Sequence, residues 1–163
     1  MSTANDADAK AKVVIERTYR ASVKDLWDLW TTKEGFESWW GPQSFRVEVH
    51  EIDARVGGAL RYAMIADTPE MIAAMKAQGQ PASHDTRGRF TEVRPHERIV
   101  ITHVIDFVPG VPPFDNDVAV EFFASGDRVR MVITLEPFHD EQFSKMQAEG
   151  FTSQLTKLDA RFA

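Results

Sequence analysis

One histidine in this sequence has the surroundings that acid–base chemistry requires. His103 lies in a β-branched apolar run, and Ile101 and Ile105 share its side of the predicted strand. Burial shifts a pKa toward the range useful to a general acid or base. Asp106 or Arg61 would be the charged partner if the strand registers bring them close. The alternative is a core or rim histidine with a satisfied hydrogen bond.

No nucleophile elbow or phosphate-binding glycine loop accompanies this histidine, so the sequence favours a protein that is not an enzyme. The remaining histidines each stand beside a carboxylate: the pairs are His50-Glu51, His84-Asp85, His96-Glu97 and His139-Asp140. Adjacent residues of a strand point to opposite faces, so such a pair cannot chelate an ion within its own strand. With no HExxH motif and no cysteine, the sequence predicts neither a metal nor another cofactor.

Aromatic side chains are concentrated just after the first predicted strand, as Trp27, Trp30, Phe36, Trp39 and Trp40. Such rings bury a large area with or without a ligand, so packing of the core is the alternative to a binding role. We assign Phe36 and Trp40 to the wall of a pocket and expect at least one of them to touch the bound molecule.

Methionines and the C-terminal segment complete the apolar part of the predicted pocket. Methionine suits adaptable apolar sites, and Met64 and Met146 lie on elements expected to enclose a cavity. Phe151 and Leu155 would face the sheet beside Met146, although most residues of this kind are simply core. The predicted ligand-binding residues are therefore Phe36, Trp40, Arg61, Met64, His103, Met146, Phe151 and Leu155, with no catalytic residue among them.

Arginines on neighbouring predicted strands admit two interpretations. At a pocket mouth they would bind a carboxylate or phosphate group, and on the convex face they would form salt bridges with glutamates. We favour salt bridges for Arg87, Arg89 and Arg98, with Glu48, Glu92 and Glu121 as partners. Arg61, close to the Gly57-Gly58 turn, is expected to face the pocket mouth.

Charge and composition exclude several classes of function. The 163 residues carry a net charge of −6 with no basic run, which opposes binding to nucleic acid. No stretch approaches the roughly 20 apolar residues of a membrane-spanning helix. The absence of cysteine fits a cytoplasmic location. Residues 1–12 lack the apolar segment of a signal peptide, so we predict a disordered tail followed by one domain at 13–163.

Alternation of apolar and polar residues predicts seven strands, and the short turns between several of them imply antiparallel neighbours. The strands are Val13 to Tyr19, Ser44 to Ile52, Ala59 to Ala66, Arg87 to Val93, Arg98 to Ile105, Asp117 to Ala124 and Arg128 to Glu136. The proline-rich stretch from Val108 to Asn116 is expected to form a long rim loop.

Helical spacing and capping residues predict four helices. Ser22 and Thr32 cap two short ones after the first strand, and Pro42 prevents their continuation. Thr68 and a proline at the first helical position predict an inserted helix at about 69–78 that covers one mouth of the pocket. A long amphipathic helix runs from about His139 to the end and must lie across the apolar face of the sheet.

Five segments together carry a resemblance to a known family. They are Val23 to Trp30, Trp39 to Pro42, Asp53 to Gly58, Arg87 to Phe90 and Glu92 to Val100. From about Val13 onward the chain resembles the START-like or SRPBCC superfamily, and within it proteins similar to the activator of the heat-shock-90 chaperone ATPase. That family usually ends in a Gly-Trp-rich helical motif, and here the comparable stretch, Gly150 to Leu158, carries phenylalanine in place of tryptophan.

The resemblance implies an α+β helix-grip fold, in which a curved antiparallel sheet of about seven strands wraps a long C-terminal helix. We expect a non-enzymatic domain that holds a small apolar or amphipathic molecule, for example a lipid, in an internal cavity. The alternative is a protein-interaction module acting on a chaperone in the stress response, which would need an exposed apolar patch on the outer sheet. A cyclase-like or hydrolase-like enzyme is the third possibility. The sequence leaves the oligomeric state open.

Overall fold

The strands form one antiparallel sheet in the computed structural model, which describes residues 12–106, 108, 110–138 and 140–163. They are β1 Val13–Tyr19, β2 Phe45–Ile52, β3 Ala59–Ala66, β4 Ser83–Arg94, β5 Arg98–Ile105, β6 Phe114–Ser125 and β7 Arg128–Leu135. Their order across the sheet is β1-β7-β6-β5-β4-β3-β2, so the first two strands are its edges. The sheet curls into a half-barrel around the long C-terminal helix, which confirms the predicted helix-grip fold.

The three short helices begin directly after the capping residues that the sequence predicted. They are α1 Val23–Thr31, α2 Lys33–Glu37, α3 Pro69–Ala77 and α4 Glu141–Arg161. The hydroxyls of Ser22, Thr32 and Thr68 each accept a hydrogen bond from the backbone N–H three residues later, at 3.0 to 3.1 Å. These bonds satisfy donors that a helix leaves unpaired at its start. Among the described residues, no helix has the length and apolar character to cross a bilayer.

Two strands are longer than their sequences predicted. β4 begins at Ser83, where it pairs with Ile65, and β6 begins at Phe114, where it pairs with Ile105. The added stretches contain Asp85, Asp115 and Asn116, which have weak strand propensity, and pairing with the neighbouring strand overrides it. The loop predicted from 108 to 116 is therefore shorter. The predicted tail, except Lys12, and the predicted helix start at His139 lie outside the described residues.

The C-terminal half of α4 is fastened to the rest of the chain by hydrogen bonds. Gly41 donates its backbone N–H to Gln154 Oε1 at 2.7 Å, and the Tyr19 hydroxyl donates to Asp159 Oδ1 at 2.6 Å. Lys157 Nζ donates to the backbone carbonyl oxygen of Phe45, the first residue of β2, at 3.1 Å. Buried residues of this helix all lie from Phe151 onward.

The N-terminal half of α4 packs much less tightly. Met146 is 54% exposed, and this half contributes no buried residue. Its hydrogen bond to the sheet runs from Gln147 Nε2 to Asn116 Oδ1 at 2.9 Å. Helix α3 also has no buried residue, so its predicted role of covering a pocket mouth stays a prediction. One end of the concave face is therefore covered less closely than the other.

Candidate ligand-binding site

Three buried polar side chains form a hydrogen-bonded row beneath α4. Trp40 Nε1 donates to the Tyr62 hydroxyl at 3.0 Å, and that hydroxyl lies 3.2 Å from His103 Nε2. The three residues are 4%, 3% and 7% exposed, in that order. This polar row is the centre of the candidate site.

Register explains how residues from different strands meet there. Tyr62 on β3 lies opposite Thr86 of β4, whereas His103 on β5 lies opposite Gly88 of β4. Since Gly88 has no side chain, the tyrosine ring can extend across β4 toward the imidazole. A Cβ at Gly88 would lie 2.7 Å from the Thr102 carbonyl oxygen, a distance that requires the backbone to move. Glycine inside a strand often marks such a close approach.

Aromatic rings surround the polar row. The Trp40 ring stacks on Phe36 with centroids 4.5 Å apart and meets Phe151 edge-on at 5.5 Å. It also lies parallel to the His103 imidazole at 6.2 Å. These separations fall in the range of favourable aromatic contacts. The site is therefore an apolar enclosure through which the polar row runs.

Burial keeps the polar row uncharged at neutral pH. Removal of His103 from water lowers its pKa to about 4, against a smaller opposing effect of the Asp117 carboxylate. Burial also raises the pKa of the Tyr62 hydroxyl above its usual value. Neutral imidazole and phenol can each donate and accept a hydrogen bond. The row is thus suited to orient a polar group rather than to pair with an ion.

The structure brings four of the eight predicted site residues together, namely Phe36, Trp40, His103 and Phe151. Leu155 is fully buried in the adjoining core, and Met64 is half-buried two residues along β3 from Tyr62. Met146 lies on the exposed side of α4, so it does not join the cluster.

Arg61 lies on the outer face, contrary to the expectation that it faces the pocket mouth. Its neighbours Leu60 and Tyr62 point inward, and successive side chains of a strand alternate between faces. The guanidinium pairs with Glu51 of β2 at 3.0 Å. Arg98 pairs with Glu92 and Glu121, as predicted, at 3.0 and 3.4 Å. Arg87 and Arg89 instead pair with Asp106 and Asp115.

Sequence reasoning did not assign Tyr62 or Gln154 to the site. The available signals were the period-two alternation of β3, which turns Tyr62 inward, and the glycine at the matching position of β4. Gln154 is a polar residue on the buried face of α4, and such a residue needs hydrogen-bond partners. Among the described residues, two buried donors have no protein partner, Trp30 Nε1 and Gln154 Nε2.

A groove of about 480 Å³ lies elsewhere, on the outer face of β4 to β7. Its lining includes Glu92, Arg98, Asp117 and Glu136. Arg98 pairs with Glu92, and Asp117 accepts a hydrogen bond from Thr102 at 2.6 Å. Side chains that satisfy one another in this way leave few free groups for a ligand. We therefore place the candidate site at the polar row rather than in this groove.

Among the described residues, no group of three potential ligands is arranged to hold a metal ion.

Fold and site together define a helix-grip domain, which is a ligand-binding kind of domain. The model of the family described as "Activator of Hsp90 ATPase homolog 1-like protein" matches residues 20–163. The chain belongs to this family. Comparison with curated proteins found no match.

Solved structures from several bacteria share the fold. A protein of Chromobacterium violaceum has a TM-score of 0.71 and 24% identity, with 93% of this chain and 96% of that chain covered. The AHSA1 protein of Silicibacter pomeroyi has a TM-score of 0.72 and 20% identity, with 93% and 96% covered. A protein of Nitrosomonas europaea has a TM-score of 0.71 and 20% identity, with 94% of each chain covered. At these identities the likeness concerns the fold alone.

Proposed function

We propose that this domain binds a small amphipathic molecule without transforming it. The apolar part of the molecule lies against Trp40, Phe151 and Met64, and its polar group lies toward Tyr62 and His103. The observation that carries the proposal is the hydrogen-bonded Tyr62–His103 pair, which is enclosed by aromatic rings at the loosely covered end of the concave face.

The composition of the enclosure supports binding. Polar groups cost free energy when they are buried, and an all-apolar core of the same volume would avoid that cost. Departures of this kind from a simple core are expected at functional sites. A pocket that is mainly aromatic, with a few convergent polar groups, is the usual form of a small-molecule site.

The N-terminal half of α4 supplies the route of entry. A Cβ placed at Gly150 would meet no atom within 4 Å, so open space borders the helix there. Gly150 and the exposed Met146 stand one turn apart on this helix, so they lie on one side of it. A molecule entering here would reach Phe151 and then the polar row.

Native mass spectrometry tests the proposal directly. The purified full chain is measured intact and again after denaturing extraction, and a small molecule released only by denaturation is the expected result. A mass equal to that of the bare chain, together with unchanged tryptophan fluorescence on addition of fatty acids, sterols and aromatic metabolites, would contradict the proposal.

A substitution at Gly150 tests the location of the site. Gly150→Leu is expected to block binding while the domain becomes up to about 1 kcal/mol more stable, because glycine is a poor helix former and the space beside it is open. The matched control is Glu149→Leu, on the exposed side of the same turn, which should leave binding unchanged. Binding and thermal unfolding of both variants are measured. Undiminished binding by Gly150→Leu would move the site elsewhere.

Action on a chaperone is the competing function, since the family is named for an ATPase activator. It would require an exposed apolar patch on the outer sheet. The described outer face instead carries ion pairs on β2 to β6, and its exposed Phe123 lies under the Arg130 guanidinium at 4.5 Å. This distribution favours the small-molecule function. A cytoplasmic location and a role in the stress response stay predictions.

A further inference from the structure

A second groove lies on the outer face of the sheet, at the end where β6 turns into β7. Its volume is about 400 Å³, and its lining is Thr18, Phe123, Ala124, Ser125, Arg128 and Arg130. This volume lies within the range of small-molecule sites. None of the lining residues belongs to the polar row, so this hairpin groove needs an explanation of its own.

Strand register arranges the lining as two rows across the sheet. Phe123 of β6 and Thr18 of β1 lie opposite Arg130 of β7, on either side of it. Ser125 of β6 lies opposite Arg128 of β7. Residues two apart on a strand share a face, and their Cα atoms are about 7 Å apart. The hairpin groove therefore has an aromatic ring and one guanidinium group in the first row, and a hydroxyl and a second guanidinium group in the next.

The aromatic ring of this groove is accessible to water. Phe122 turns inward and is 6% exposed, whereas the next residue, Phe123, is 43% exposed. The Arg130 guanidinium lies 4.5 Å from the centroid of the Phe123 ring, a separation that stabilises a cation over an aromatic face. The two side chains hold each other in place, and the exposed part of the pair remains free for a flat group to stack on.

The two arginines differ in how their charges are compensated. Arg130 Nη1 pairs with Glu16 Oε1 at 2.6 Å. Among the described residues, Arg128 has no carboxylate partner. The preceding residue, Asp127, instead pairs with Arg20 at 3.4 Å. One positive charge at the hairpin groove is therefore uncompensated, in a chain whose net charge is −6.

The donors around this charge indicate which anion fits. A guanidinium group binds two oxygens of a phosphate through parallel N–H groups. The Ser125 hydroxyl, opposite Arg128, forms no hydrogen bond with another described residue and can donate to a further oxygen. A phosphate monoester offers three terminal acceptor oxygens. These donors therefore match a phosphate group, which would use all of them.

We propose that the hairpin groove binds an aromatic monophosphate of the mononucleotide kind. The phosphate lies against Arg128 and Ser125, and the aromatic ring stacks on the pair of Phe123 and Arg130. The sugar of a nucleotide spans the distance between the two rows. This site is separate from the polar row, so it does not depend on the function proposed above.

Three probes separate the parts of such a ligand. AMP carries both ring and phosphate, adenosine lacks the phosphate, and ribose 5-phosphate lacks the ring. Dissociation constants are measured by NMR titration of the 15N-labelled full chain at neutral pH and constant salt. The backbone amide signals of Phe123, Ser125 and Arg128 report on the groove, and the indole N–H signal of Trp40 reports on the polar row. We expect AMP to bind about tenfold more tightly than either fragment and to shift only the groove signals.

Arg128→Gln and Phe123→Leu test the two halves of the site. Loss of the guanidinium should weaken AMP binding about tenfold and leave adenosine binding unchanged, because the charge-assisted bonds to phosphate are lost. Loss of the ring should weaken AMP binding about tenfold and leave ribose 5-phosphate binding unchanged. Both side chains are exposed, so both variants should fold.

Arg55→Gln is the matched control. It makes the same change of charge at an exposed arginine on the turn between β2 and β3, which pairs with Asp53 at 2.8 Å. Because exposed charges that lie far apart are screened by salt, AMP affinity should stay within about twofold of the wild-type value. An equal loss of affinity in this variant and in Arg128→Gln would reduce the effect to net charge and overturn the site.

The other outcomes are equally decisive. Unchanged AMP affinity in Arg128→Gln would overturn the phosphate contact and with it the proposal. Ribose 5-phosphate that binds as tightly as AMP would overturn the aromatic class. Shifts of the Trp40 indole signal without shifts at the groove would place AMP at the polar row, which would overturn this site and support the function proposed above. A dissociation constant for AMP weaker than about 1 mM would mean that the groove is an ordinary charged surface.

Discussion

Replacing Trp40 with alanine is expected to lower the free energy of unfolding by about 3–5 kcal/mol, which lies at the upper end of the range of losses that single substitutions cause. The indole is almost fully buried and contacts the rings of Phe36, Phe151 and Trp30 at centroid distances of 4.5, 5.5 and 5.4 Å. Its loss would leave a large cavity and remove the N–H that Tyr62 accepts. Urea unfolding of the two proteins measures the difference.

Trp27→Ala is the matched control for this prediction. Trp27 is half-buried and touches His96 and Phe122 edge-on at 5.6 and 6.0 Å, so its truncation removes less buried area. We expect Trp27→Ala to lower the free energy of unfolding clearly less than Trp40→Ala does. Equal losses for the two variants would contradict the central place given to Trp40. Partial recovery of stability by Trp40→Ala on addition of indole would show that the site accepts an aromatic molecule.

Local chemistry explains why much of the fold could be predicted. The hydroxyls of Ser22, Thr32 and Thr68 bind backbone groups within three residues, so their effect can be recognised in the sequence alone. The period-two pattern of β2 and β3 likewise depends only on which side of a strand is buried. The starts of β4 and β6 depend instead on pairing with other strands, and no local pattern records that pairing.

The candidate site was less predictable because its geometry depends on register. Four aromatic or imidazole residues of the cluster were predicted from the sequence to line the pocket, since their size and position imply burial. The meeting of Tyr62 with His103 depends on how β3, β4 and β5 are aligned, and in particular on Gly88 lying between them. Arg61 was expected to face inward because the sequence shows a charge near a turn, whereas its face follows from Tyr62 beside it.

Neutrality of His103 predicts a pH dependence of stability. Its pKa is about 4 in the folded protein and 6.5 for an ordinary histidine. As the pH falls below 6.5, the unfolded chain takes up a proton that the folded chain does not, so the folded state loses stability relative to it. The loss stops below about pH 4, where both states are protonated, and by then it amounts to about 3 kcal/mol. Above pH 7 this residue should contribute no pH dependence.

The variant His103→Asn isolates this effect, because asparagine does not titrate and can still form hydrogen bonds. The unfolding free energies of wild type and variant are compared from pH 7.5 to 4.5, so that the contributions of all other groups cancel. Relative to the variant, the wild type should lose about 2 kcal/mol by pH 5. An NMR titration of the imidazole provides a direct check. A constant difference between the two proteins, with His103 titrating near pH 6.5, would show that the imidazole is hydrated and that the enclosure is open to water.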